Sequence, residues 1–286
     1  MKNHFNSLDE VIKTSIEKAV MNARDKFPIA LVKNDICIKI MDHSLASKPI
    51  CVRKRKNKNG LKEVPSFISV PITCYLLVKI GRKEHMERLL KNGEVYMNST
   101  KFFRDYENSE IGDTYEGALY IKDGRVSEYR DNLNSEKLFC LWHYNNLVPL
   151  NESIIHSEQY DDITGKARIG IDLRKLCGFT PGEDPYMVVI KSPEEFEKRF
   201  RKACKRAKAE YRESNIVWYY NEFSVNPNIR LSPFFKREKY IKQHEFRFLA
   251  IKNTATPLIL KLGSLEDIAD IYNVNEMKLT LVGNCA

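Results

Sequence analysis

Apolar residues in this chain come in short runs, and that spacing limits the possible folds more than any other feature. Tyr75-Leu76-Leu77-Val78 and Met187-Val188-Val189-Ile190 are each long enough for a buried strand and far short of the roughly 20 residues that cross a bilayer. Similar runs recur along the chain, bounded by turn-forming residues, while few stretches carry apolar residues at helical spacing. Many strands with few regularly alternating helices predict an α+β fold, with mixed, mainly antiparallel sheets and flanking helices, and argue against a doubly wound parallel sheet. At 286 residues and 43% hydrophobic content, the chain can bury a substantial core in one large domain or two small ones.

The pattern divides the chain into an N-terminal helical and basic extension, residues 1–68, and an α+β body, residues 69–286. Ser7-Leu8-Asp9-Glu10 has the form of a capping box, and the apolar spacing after it predicts a helix over 8–25 closed by Pro28. Alternation around Ile36-Cys37-Ile38-Lys39-Ile40 follows, then the basic loop Arg53 to Lys58. In the body, a strand over 72–80 leads to a helix over 82–91 that Asn92-Gly93 stops. A strand over 94–98, a short helix capped by Ser99 or Thr100, and a strand over 118–121 turned at Asp123-Gly124 come next. Further strands are predicted at 137–143, 167–173, 186–191, 216–224, 245–251, 258–261 and 278–282. Ser192-Pro193 opens a long helix to about Arg212, and Ser264 caps a helix between the last two strands.

Several chemistries are excluded by what is missing. There is no phosphate-binding G-x-x-x-x-G-K-[ST], dinucleotide G-x-G-x-x-G, nucleophile-elbow G-x-S-x-G or metalloprotease H-E-x-x-H. The six histidines show no metal-ligand spacing, so no metal is expected on that ground. Seven cysteines without a C-x-x-C pair predict free, mostly buried thiols. The N-terminus lacks the apolar core and cleavage site of a secretory signal, so the expected location is the cytoplasm, with no membrane partner. The 47 Lys+Arg outweigh 38 Asp+Glu by a formal +9, concentrated in Arg53 to Lys58 and in Lys198 to Arg212. Such clusters suit DNA or RNA, because each neutralised phosphate releases counterions.

Three stretches carry candidate chemistry. Gly93 to Asp105 packs Tyr96, Asn98, Ser99, Phe102, Phe103 and Asp105 into thirteen positions, which suits core packing and helix capping as well as a ligand site. Gly112-Asp113-Thr114-Tyr115-Glu116-Gly117 is an ordinary turn composition, yet two acids between glycines can hold a cation, hydroxyls or a guanidinium. In Gln243-His244-Glu245-Phe246-Arg247, alternation puts Glu245 and Arg247 on one face of a strand, either as an ion pair or as a carboxylate over a cleft.

Taken in order, G-x-V-Y-x-N-S-x-x-x-F-x-D, G-D-x-x-E-G and Q-x-E-F-R resemble a broad set of poorly characterised bacterial and phage proteins, across roughly residues 75–252. At longer range the layout is similar to the ADP-ribosyltransferase fold, which includes toxins that modify DNA. That resemblance implies an NAD-dependent ADP-ribosyltransferase, acting as a toxin or phage-defence protein on a nucleic-acid target. It implies Glu245 as the catalytic carboxylate that holds the ribose, and Tyr96 as a stacking residue. Lys79 stands on the first strand where those enzymes present Arg or His, and no S-T-S follows. Asn98, Ser99, Phe103, Asp105, Asp113, Glu116 and Arg247 complete the candidate NAD-binding set. Two other classes stay open: a non-enzymatic nucleic-acid-binding protein, and a metal-dependent phosphodiesterase or nuclease using Asp105, Asp113, Glu116 and Glu245 as oxygen ligands.

Overall fold

The computed structural model describes residues 30–33, 36–39, 50–51, 67–68, 76–106, 112–144, 155–161, 166–171, 184–225, 227–276 and 279–284. The helix expected over 8–25 and the basic loop Arg53 to Lys58 lie outside the described residues. Toward the N-terminus, β1 (Ala30–Lys33) pairs with β2 (Ile36–Lys39), and β3 (Ile50–Cys51) with β4 (Phe67–Ile68).

The body begins with β5 (Leu76–Arg82) and α1 (Lys83–Asn92), whose apolar face presents Met86, Leu89 and Leu90. Gly93 ends α1 in the left-handed conformation, φ 59°, and a Cβ there would lie 2.1 Å from the Gly263 carbonyl oxygen. Only glycine fits that stop. After β6 (Glu94–Ser99), the Ser99 hydroxyl caps α2 (Thr100–Asp105) by accepting the Phe102 N–H. The hairpin of β7 (Ala118–Lys122) and β8 (Arg125–Tyr129) turns through Asp123 and Gly124, both at positive φ, as its Asp-Gly pair predicts. The strands β9 (Glu136–Tyr144), β10 (Ile155–Asp161), β11 (Lys166–Ile171) and β12 (Pro185–Ile190) follow.

Next come α3 (Pro193–Arg206), β13 (Glu210–Ile216), β14 (Trp218–Tyr220), β15 (Phe235–Arg237) and a 3-10 helix over Glu238–Gln243. The chain closes with β16 (Glu245–Ile251), β17 (Leu258–Lys261), β18 (Ala269–Asn273) and β19 (Leu279–Asn284). An eight-stranded sheet dominates, in the order β13-β16-β9-β5-β12-β18, with β6 branching from β9 and carrying β17. Its ladders are antiparallel, and the α+β class is as predicted. The one parallel ladder among the described residues joins β14 to β15.

Three expected elements take another form, and the strands β10, β15 and β18 were not expected. The basic helix stops at Arg206, not near Arg212: Lys208 adopts φ 51° and the chain reverses into β13. Ala207, Lys208 and Ala209 are good helix formers, so no local signal marks that stop; pairing of β13 with β16 overrides propensity. The strand expected over 216–224 is two pieces, because β13 ends at Ile216 and an Asn221 turn follows β14. Where a Ser264-capped helix was expected, a turn leads into β18, whose pairing with β12 supplies the backbone bonds.

The main core fills the space between one sheet face and the two longer helices. Phe196, Phe200, Ala203 and Cys204 of α3 and Met86, Leu89 and Leu90 of α1 pack on Leu77, Phe139, Leu141, Val188, Ile190, Phe246 and Phe248. Strand alternation then commits Glu245, Arg247 and Leu249 to the opposite face, where Leu249 meets Leu138 and Phe234, with Phe103 packed alongside.

Candidate functional site

The loop Gly112 to Gly117 is shaped by its own residues. A Cβ on Gly112 would lie 2.1 Å from the Tyr106 carbonyl oxygen, and Gly117 sits at φ 84° against Leu133. Asp113 Oδ1 accepts the Tyr115 N–H at 3.0 Å, and the Glu116 N–H bonds the Asp113 carbonyl at 2.7 Å. This tight turn aims both acids inward, leaving Asp113 1% and Glu116 3% exposed.

Their partners lie far along the chain. Both carboxylate oxygens of Glu116 accept from the Arg247 guanidinium, a pairing across 131 positions of sequence. Arg247 Nε also donates to Glu245 Oε2 at 2.7 Å, and Nη1 to the Pro233 carbonyl at 2.5 Å. Lys236 Nζ bonds Glu245 Oε1 and Gln243 Oε1, each at 2.5 Å, and lies 4.0 Å from Glu116 Oε1. Arg237 donates to Asp113 Oδ1 through Nε at 2.9 Å and Nη2 at 2.5 Å, over the Tyr115 ring at 3.9 Å. Three carboxylates thus face three cations on the buried side of the sheet.

The electrostatics follow from that balance. Burial works to raise the Glu245 pKa, but the neighbouring Arg247 and Lys236 charges outweigh it and hold the carboxyl well below the ordinary range. Burial likewise works against the Arg247 charge, and Glu116 and Glu245 overcome it, so the guanidinium stays protonated. The Glu245 N–H donates to the Tyr219 hydroxyl at 3.0 Å, and burial and the Glu245 charge raise that phenol well above its usual value. Every Glu116 and Glu245 oxygen already accepts from a cation, so the arrangement is a lock fastening the acidic loop to β16.

The predicted site residues do not share one place. Glu245, Arg247, Glu116 and Asp113 come together, joined by Lys236 and Arg237, which sequence reasoning missed. The overlooked signal was two cations inside the aromatic run Phe234-Phe235-Lys236-Arg237, where unpaired charge would be costly to bury. Lys79 belongs to the opposite face: Val78 is the register partner of Trp142 and Trp142 of Glu245, so its neighbour Lys79 points toward the helices, bonding the Cys140 carbonyl over the Phe139 ring. Asp105 is exposed and tied to Lys101 and Arg104, and its bond with Arg104, then that with Lys101, lowers its pKa to about 2. Ser99 is a helix cap, Phe103 packs against Phe234 and Leu249, and Asn98 is the register partner of Leu138. Tyr96 is 52% exposed on the β6–β17 ladder, and its hydroxyl makes no hydrogen bond among the described residues. No group of three or more His, Cys, Asp or Glu is placed to hold a metal among the described residues.

The basic helix is also rearranged by its neighbours. Lys198 and Arg199 bond Glu195, Arg199 reaches Asp267, Arg201 pairs with Glu197, and Arg212 with Glu210. The exposed cations left are Lys202, Lys205, Arg206 and Lys208, which make no ion pair among the described residues. Arg206 donates to the Lys261 carbonyl at 2.6 Å, and Lys252 Nζ to the Ala207 and Lys208 carbonyls at 2.8 and 3.2 Å. The Lys252 ammonium thus sits against the C-terminal carbonyls of α3, and the Lys261 backbone meets Arg206.

No described helix is long and apolar enough to cross a membrane. Set against family models, curated proteins and solved structures, the chain has no match, so the functional reading rests on its own geometry.

Proposed function

We propose that this chain binds nucleic acid through the cationic patch at the end of α3. The carrying observation is the charge accounting: after intramolecular pairs are formed, Lys202, Lys205, Arg206 and Lys208 at the end of α3 are exposed without a carboxylate partner among the described residues, and the Lys252 ammonium lies on the carbonyls there. Exposed cations of this kind bind phosphates by displacing counterions. In this reading the Glu116–Arg247–Glu245–Lys236 network is scaffold. The test is fluorescence anisotropy with labelled DNA and RNA across a salt series. Affinity should fall with salt, and Lys202→Glu with Lys205→Glu should weaken it and reduce the salt slope by about two phosphate contacts. An unchanged slope in that double variant would remove the patch from the interface.

One observation favours a second reading, an NAD-dependent ADP-ribosyltransferase of toxin or phage-defence type. Glu245 is kept ionised at the head of a central strand beside Tyr219, the charge state a ribose-holding carboxylate needs. Catalysis of this kind requires Lys236 to yield Oε1 to the substrate hydroxyl. NAD consumption by the wild type, lost in Glu245→Gln and measured with single-stranded DNA, duplex DNA or RNA present, would support it. Absence of turnover under each condition leaves the binding reading alone.

A further inference from the structure

On the β6–β17 ladder, Val95, Met97, Leu258 and Leu260 point into the core, so alternation turns Glu94, Tyr96, Ile259 and Lys261 outward. Tyr96 and Ile259 are cross-strand partners, 52% and 50% exposed. Lys261 lies two residues from Ile259 on the same face, and its carbonyl is the acceptor of Arg206. Lys261 thus stands on the Tyr96 face, and Arg206, from the helix on the other face, reaches the same strand β17, which pairs only with β6 among the described residues. Glu94, the acid opposite Lys261, is drawn to Arg88 at 3.4 Å.

We infer that this face takes single-stranded nucleic acid, with a base stacked on Tyr96 against Ile259 and the phosphates running over Lys261 and across the β17 edge to Arg206 and the cations at the end of α3. The inference rests on the nucleic-acid reading and adds the strand state of the ligand. Cations alone do not distinguish single strands from duplexes, since both present phosphates. A half-exposed tyrosine does, because the bases of a duplex already stack on one another and offer it no free face. Tyr96 keeps its ring accessible beside an aliphatic partner, as a stacking platform requires.

The test compares oligothymidylate, oligouridylate, a matched DNA duplex and heparin on the full chain, in wild type, Tyr96→Ala, Tyr96→Phe and the Lys202→Glu/Lys205→Glu variant. Tyr96→Ala should weaken single-strand binding on the order of tenfold with the salt slope unchanged, Tyr96→Phe should restore it, and duplex and heparin binding should stay as in wild type. Tyr96→Trp adds a third, exposed indole to the two tryptophans of the chain, and its fluorescence should be quenched by the single strand. Salt-dependent binding that the lysine variant weakens but Tyr96→Ala leaves unchanged overturns the single-strand inference and spares the nucleic-acid reading. Wild-type protein that binds none of the nucleic acids overturns both.

Discussion

The acidic loop with β16 and the end of α3 with β17 use the same charged residue types and reach opposite outcomes. Around Glu245, each cation faces a carboxylate, and Arg247 is 1% exposed. At the end of α3, several lysines stand in solvent with no acid beside them among the described residues. Solvation explains the contrast. A buried charge loses its water and persists only when paired and hydrogen-bonded, whereas a surface lysine keeps its hydration and can remain single until a ligand arrives. Buried charge therefore fixes the fold, and unpaired surface charge is what is left for a partner.

Breaking the sealed region should have the largest effect. Arg247→Met leaves the Glu116 carboxylate and one Glu245 oxygen buried without their partner, and should cost about 3–5 kcal/mol in urea unfolding. A cost below about 1 kcal/mol, the scale of an exposed pair, would mean that water reaches the network.

Acid should sharpen the same contrast. The folded Glu245 pKa lies below its ordinary 4.5, so its stabilisation is complete above that value and is lost as pH falls through the folded pKa. Burial lowers His244 to about 4 from 6.5, so its contribution is full above pH 6.5 and declines from there toward 4. The unfolding free energy should begin to drop below pH 6.5 and fall further below 4.5. His143 adds to the upper window: it is fully buried, both ring nitrogens lack a partner among the described residues, and burial, then His244, holds its pKa well below 6.5. His143→Phe should flatten the slope between pH 6.5 and 4 and stabilise the protein at neutral pH by about 1 kcal/mol. A steeper slope in that variant would assign the acid response elsewhere.

The smallest stability effect is expected in the open region. Lys202→Glu with Lys205→Glu should change unfolding by less than about 0.5 kcal/mol while altering nucleic-acid affinity and its salt dependence. A large loss of stability there would mean that these lysines serve the fold.

Much of the fold was legible because local chemistry dictates it. Strand-sized apolar runs, Asn92-Gly93, Ser99 and Asp123-Gly124 each mark an element that forms where the pattern places it. The end of α3 and the region after Ser264 were not legible, since strand pairing there overrides helix propensity. For the site, alternation correctly put Glu245 and Arg247 side by side, but nothing local tied them to Glu116 or Lys236.

By itself the sequence determined the α+β class, many element positions, the glycine-bounded turn that carries Asp113 and Glu116, and the presence of more cations than acids. Only the tertiary structure decided which charges cancel. It placed Lys79 and Glu245 on opposite faces of the sheet, closed Glu245 between Lys236 and Arg247, tied Arg199 to Asp267, and left Lys202, Lys205 and Lys208 exposed without an ion pair among the described residues. The physical reason is range: caps, turns and alternation act within a few residues, whereas the solvation of a charge depends on neighbours that folding brings from more than a hundred positions away.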